Sequence, residues 1–135
     1  MNVLFVCKYN RFRSKIAEYV FNKNNLNRKI KARGAGVIAG YYPLDNVEVK
    51  AAEELGFELK GRPQELTREL IKWADKVVIV ADDVPSWIFE DNKNFKGKLE
   101  RWNVPDLHNH SKERAKEIIL EIEKKVRDFI KTLDS

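Results

Sequence analysis

The chain has 135 residues, 43% of them apolar, a net charge of +5 from 26 Lys+Arg against 21 Asp+Glu, and one cysteine. That length suits a single domain over residues 1–135 whose core needs no disulfide or metal staple, and the apolar fraction excludes a fully disordered chain. A lone cysteine excludes an internal disulfide and points to a reducing, cytoplasmic setting. The longest apolar run, residues 77–81, falls far short of the roughly 18 residues of a membrane span, and no leader-like segment opens the chain, so no membrane partner is expected.

Asn2–Cys7 (NVLFVC) is a continuous apolar run, the pattern of a strand buried on both faces. A polar segment, residues 8–13, separates it from a helix with Ser14 as predicted N-cap and Ile16, Ala17, Val20 and Phe21 as its apolar face. That helix runs into the Asn-rich residues 22–27. Residues 30–37 read as a second strand ending in Gly34-Ala35-Gly36, a turn or a close backbone approach. A helix is predicted over residues 44–55, with Asp45 near its start and Gly56 as its C-cap, and a shorter one over 67–73 opened by Thr67.

Lys76–Val80 (KVVIV) is a further buried strand. It leads to Asp82-Asp83-Val84-Pro85, where either aspartate, following a strand, could reach a ligand pocket, but a cap for a short helix around Trp87 is the stronger expectation. Residues 98–101 read as a fourth strand, with weaker patterning. Residues 111–133 form the strongest helical pattern, Ala115, Ile118, Ile122, Val126, Phe129 and Leu133 stepping by three or four. Alternating apolar strands and helices imply an α/β fold: a four-stranded parallel sheet flanked by helices on both faces, with ligands bound beyond the C-terminal strand ends.

Cys7 to Ser14 (CKYNRFRS) forms a C-x5-R-S segment between the first strand and the first helix. Such a loop can turn successive backbone N–H groups inward as an anion nest at a helix N-terminus. Those donors would stabilise a Cys7 thiolate, and Arg13 would grip two phosphate oxygens bidentately. Ser14 is a candidate donor to the sulfur, Asn10 a candidate brace, and Lys8, Tyr9, Arg11 and Phe12 complete a phosphate-binding loop. Three of the positive charges, on Lys8, Arg11 and Arg13, thus fall in or beside that loop.

The loop, the Gly34-Ala35-Gly36 segment, residues 40–45 (GYYPLD), residues 54–57 (ELGF), residues 74–79 (ADKVVI) and residues 102–106 (WNVPD) together resemble the low-molecular-weight protein tyrosine phosphatase family over most of the chain. The resemblance implies phosphoryl transfer through a Cys7 phosphocysteine, with Arg13 binding phosphate and Asp106 as general acid and then base, without metal or cofactor. It implies a phosphorylated protein or small phosphomonoester as substrate. The chain departs from the family pattern with Tyr9 in place of a loop glycine, with Arg11 and Lys15, and with Leu107 after Asp106. The family's aromatic pocket wall is missing there, and Tyr9, Tyr41 and Tyr42 are candidates to replace it.

Two alternatives accompany this reading. One is a non-catalytic phosphate or RNA binder, built on Lys8, Tyr9, Arg11, Phe12 and Arg13 as a basic–aromatic patch, although nucleic acid is the less expected partner. The other is an arsenate reductase, which with only Cys7 would need a partner's thiol. Asp106-x-His108-x-His110 is a weak metal pattern, and no metal is expected.

Overall fold

The computed structural model describes residues 1–38, 40 and 43–133. The candidate wall residues Tyr41 and Tyr42 lie outside the described residues. In chain order the elements are β1 (Asn2–Cys7), α1 (Arg13–Asn24), β2 (Lys31–Gly36), α2 (Asn46–Glu54), α3 (Arg68–Trp73), β3 (Lys76–Val80), α4 (Trp87–Glu90), β4 (Lys98–Trp102) and α5 (Lys112–Leu133). The strands make one parallel sheet in the order β2-β1-β3-β4. This is the expected architecture, and the weakly patterned fourth strand is present, extended by one residue to Trp102.

The two central strands carry the apolar runs, and their alternation divides the core between the faces of the sheet. Val3, Phe5, Val78 and Val80 pack with α1, α2 and α5. Leu4, Val6, Val77 and Ile79 pack with Leu70 and Ile71 of α3 and Phe89 of α4. On the first face the Phe5 ring lies 5.8 Å from Phe21, 6.1 Å from Trp102 and 6.0 Å from Phe129, distances typical of aromatic packing. Charged residues fall on the edge strands, Lys31 and Arg33 on β2 and Glu100 and Arg101 on β4.

Most of the predicted caps form. Asp45 Oδ1 accepts from the backbone N–H groups of Val47 and Glu48, and Thr67 Oγ1 accepts from that of Leu70. Gly56 adopts φ +82°, and its N–H donates to Glu53 while that of Phe57 reaches Ala52, the closing bonds of a Schellman motif. Ser14 is one exception. α1 starts one residue earlier, at Arg13, with Phe12 at the N-cap and no side-chain cap bond. The Ser14 hydroxyl is engaged by Cys7 and Asn10 instead.

Gly34-Ala35-Gly36 is not a turn but the end of β2, where the close approach occurs. The Gly36 N–H donates to the Gln64 carbonyl, its own carbonyl accepts from Leu66, and the Cys7–Ser14 loop passes directly over its Cα. A Cβ there would sit 2.4 Å from the Tyr9 carbonyl carbon and 2.6 Å from the Asn10 nitrogen. Both obstacles are backbone, so no side-chain rotation relieves the clash. Gly36→Ala is therefore expected to destabilise the chain by about 1–3 kcal/mol, as overpacking does, with thermal or urea unfolding as the check. An unshifted midpoint would show that the loop yields freely at this point.

Candidate active site

The site lies at the C-terminal ends of the parallel strands, where three segments meet. The loop after β1 supplies Cys7 and Asn10 and runs into Arg13 and Ser14 of α1; the segment after β3 supplies Asp82 and Asp83; the segment after β4 supplies Val104 and Asp106. Crossover connections bring residues nearly a hundred positions apart into one cleft, as parallel sheets do.

Cys7 closes β1 and is 2% exposed. Its Sγ lies 3.0 Å from Ser14 Oγ and accepts from the Asn10 N–H at 3.3 Å. Asn10 takes φ +54°, a left-handed conformation that Asn tolerates better than most residues. Its side chain donates to Ser14 Oγ at 2.6 Å and accepts from the Gln64 N–H at 2.8 Å. The loop is thereby pinned from inside by Ser14 and from outside by the segment before α3. The predicted brace is in place, with Gln64 as a partner that spacing along the chain could not indicate.

Arg13 is the largest fully buried side chain, 2% exposed. Its NH1 donates to the Val104 carbonyl at 3.0 Å, and its NH2 to both Asp83 carboxylate oxygens at 3.0 and 3.2 Å. Asp82 and Asp106 stand 3.7 Å from the guanidinium. The two aspartates after β3 therefore hold Arg13 rather than capping α4, whose N-cap is Ser86. Burial of the charge decides this: a buried guanidinium needs acceptors, whereas α4 is only one turn long.

A cavity of about 180 Å³ opens above the loop, lined by Cys7, Tyr9, Arg11, Phe12, Arg13 and Asp106 among others. Of the predicted loop residues, Asn10 and Ser14 act behind it on the sulfur. Lys8 points away, its ammonium 5.2 Å from the centre of the Tyr9 ring. Arg11 Nε and NH2 donate to the Pro43 carbonyl, which ties the loop to the approach to α2. Phe12 is 3% exposed, so neither it nor Arg13 belongs to a surface basic–aromatic patch.

Leu107, His108, Asn109 and His110 form the wall after Asp106, and Asp45 and Glu48 the wall from α2. Sequence reasoning missed Glu48. Asp45-x-x-Glu48 has capping-box spacing, a local pattern that gives no sign of a place in a distant cavity. In the fold Glu48 is buried and faces the cavity. Burial and then the neighbouring Asp45 and Asp106 push its carboxyl up to about 8, with Arg11 and Arg13 partly opposing.

The Glu48 shift has a stability consequence. The folded chain holds this proton to about pH 8, while the unfolded chain releases it near the ordinary value of 4.5. Folding thus takes up a proton between those limits, so the contribution is full below 4.5 and lost as pH rises toward 8. Glu48→Gln is expected to raise Tm by roughly 3–5 °C over the parent at pH 8.5 and by almost nothing at pH 4, consistent with a change of about 1 kcal/mol in a domain of this size. Equal shifts at both pH values in scanning calorimetry would show that Glu48 is not held neutral.

Comparison with known proteins gives concordant results. The model of the family "Low molecular weight phosphotyrosine protein phosphatase" matches residues 2–135. The low molecular weight protein-tyrosine-phosphatase Ptp of Acinetobacter johnsonii is 28% identical, with 96% of each chain covered. Among solved structures, the low molecular weight protein tyrosine phosphatase of T. tengcongensis superposes with a TM-score of 0.84 at 26% identity, covering 98% of this chain and 99% of that one. The arginine phosphatase YwlE, in a mutant with a phosphorylated active-site serine, superposes with a TM-score of 0.85 at 25% identity, covering 100% and 97%.

Proposed function

Because the chain belongs to the low molecular weight phosphotyrosine protein phosphatase family and is a phosphatase, we propose that it hydrolyses phosphotyrosine or a related phosphomonoester on Cys7, with Arg13 and Asp106 as its working partners. One observation carries this reading: a buried cysteine sulfur with two hydrogen-bond partners shares its cavity with a buried guanidinium and with a carboxylate 3.7 Å from that guanidinium.

The two contacts at sulfur, from the Ser14 hydroxyl and the Asn10 N–H, stabilise negative charge there. The thiolate attacks phosphorus and forms phosphocysteine while the leaving oxygen takes a proton from Asp106. Asp106 then takes a proton from the water that splits the P–S bond, which returns the thiolate and releases phosphate. Arg13, oriented by Asp83 and the Val104 carbonyl, meets the equatorial oxygens without having to reorganise. Asp106 is itself oriented, its Oδ1 accepting from the Leu107 N–H at 2.8 Å. A single cysteine kept reduced for this chemistry supports a cytoplasmic location.

The likeness to YwlE brings in phosphoarginine as a second substrate class. Asp45, Glu48 and Asp106 all line the cavity, and their carboxyls offer acceptors for the N–H groups of such a leaving group.

Cys7→Ser is expected to abolish hydrolysis of para-nitrophenyl phosphate while leaving the fold intact by circular dichroism. Retained turnover would overturn the assignment of the nucleophile. Asp106→Asn is expected to lower kcat by roughly 10²–10³-fold, within the range for general acid–base catalysis. Steady-state assays with a poor leaving group, where protonation matters most, provide the check.

A further inference from the structure

Glu48 is a buried ionisable side chain in the cavity wall that the mechanism does not use. It is 7% exposed, borders the cavity, and makes no side-chain hydrogen bond or ion pair among the described residues. The reciprocal capping-box bond to the Asp45 N–H is likewise not formed among them, so the carboxyl is not consumed in closing the helix. Among the described residues no side-chain polar atom is both buried and unpartnered, so the Glu48 oxygens open onto the cavity, where a substrate that displaces their water must supply a donor in its place.

The surroundings indicate what would complete it. From α2 and its cap come Glu48 and Asp45. From the segment after β4 come Asp106, His108 and His110, and from the loop and α1 come Cys7, Arg11 and Arg13. The two arginines already have acceptors: Arg11 donates twice to the Pro43 carbonyl, and Arg13 donates to Asp83 and Val104. His110 Nδ1 faces Asp45 at 3.7 Å. Of the three cavity carboxyls, Asp45 and Asp106 accept backbone N–H groups, whereas Glu48 accepts none among the described residues.

We propose that Glu48 is the specificity-determining residue of the pocket, accepting from the N–H groups of a cationic leaving group, a phosphorylated guanidinium, in preference to a neutral phenol. This rests on the phosphatase reading above. A phenol ring filling the cavity would strip water from Glu48 and offer nothing in return, a penalty that works as discrimination. A guanidinium supplies both donors and charge, and it ionises the carboxyl that Asp45, Asp106 and burial otherwise keep protonated. In the reaction the Cys7 thiolate attacks phosphorus, the P–N bond breaks, and the leaving nitrogen takes the Asp106 proton. Water then cleaves the P–S bond, giving its proton to Asp106 and leaving inorganic phosphate.

The test compares two peptides of one sequence, one bearing phosphoarginine and the other phosphotyrosine at the same position. Wild type, Glu48→Gln and Glu48→Asp are assayed on both. Glu48→Gln is expected to reduce the ratio of kcat/KM for phosphoarginine over phosphotyrosine at least ten-fold, mainly through KM, with Glu48→Asp recovering part of it. Equal losses on both peptides, or an unchanged ratio, would overturn the proposal. So would a wild-type enzyme that turns over phosphotyrosine but not phosphoarginine, which leaves the phosphatase reading standing. Failure of the wild type on both peptides and on para-nitrophenyl phosphate would remove the two together.

Discussion

A guanidinium buried to 2% exposure must be surrounded by acceptors, and at Arg13 they come from two segments far along the chain, with Asp83 70 positions away and Val104 91. Asp82 and Asp83 follow β3, and Val104 and Asp106 follow β4, so holding this one cation fixes how two strand ends stand relative to the start of α1. Removing any of these groups would strand buried charge, which is far more costly than losing a surface ion pair. The arrangement also leaves the guanidinium oriented before a substrate arrives. The same contacts that satisfy the fold thus preorganise the site.

The loop obeys a second constraint, that of backbone space. Between Cys7 and Arg13 the chain turns back so that the Asn10 N–H reaches the Cys7 sulfur, with Asn10 in the left-handed region and the Tyr9–Asn10 peptide laid across Gly36. Asn10 supports that conformation with its own side chain, which joins Ser14 to the Gln64 amide. The parallel sheet makes the crossing feasible, because β2 lies directly beside β1 with Cys7 opposite Gly36. Strand register, a missing side chain and one amide side chain together shape the loop around the Cys7 sulfur.

Charge distribution separates the whole molecule from its site. The chain carries +5, yet three carboxyls line the cavity and two aspartates flank Arg13. Net charge describes the solvated surface, such as the Lys/Glu-rich flank of α5, where exposed pairs like Lys124–Asp128 contribute little. Inside the cavity the local dielectric is lower and individual groups decide. The residues lining the cavity, Arg11 and Arg13 as well as the three carboxyls, set its local charge, which the net charge does not describe.

Much of the fold was legible along the chain because burial of β1, β3 and α5 imposes periods that depend only on local order. NVLFVC, KVVIV and the three-and-four spacing from Ala115 to Leu133 predicted the sheet and its longest helix. Asp45, Thr67 and Gly56 marked ends whose bonds close within a few residues. The Cys7-to-Ser14 spacing between strand and helix likewise singled out the loop residues that the fold gathers around one sulfur. What only the tertiary structure decided is every role that depends on a distant partner. Ser14 turned from cap to sulfur contact, Asp83 from cap to arginine clamp, and Glu48, unremarked along the chain, became buried cavity wall. A polar side chain's local pattern states which bonds it can make nearby; desolvation by the rest of the chain selects which of them it makes.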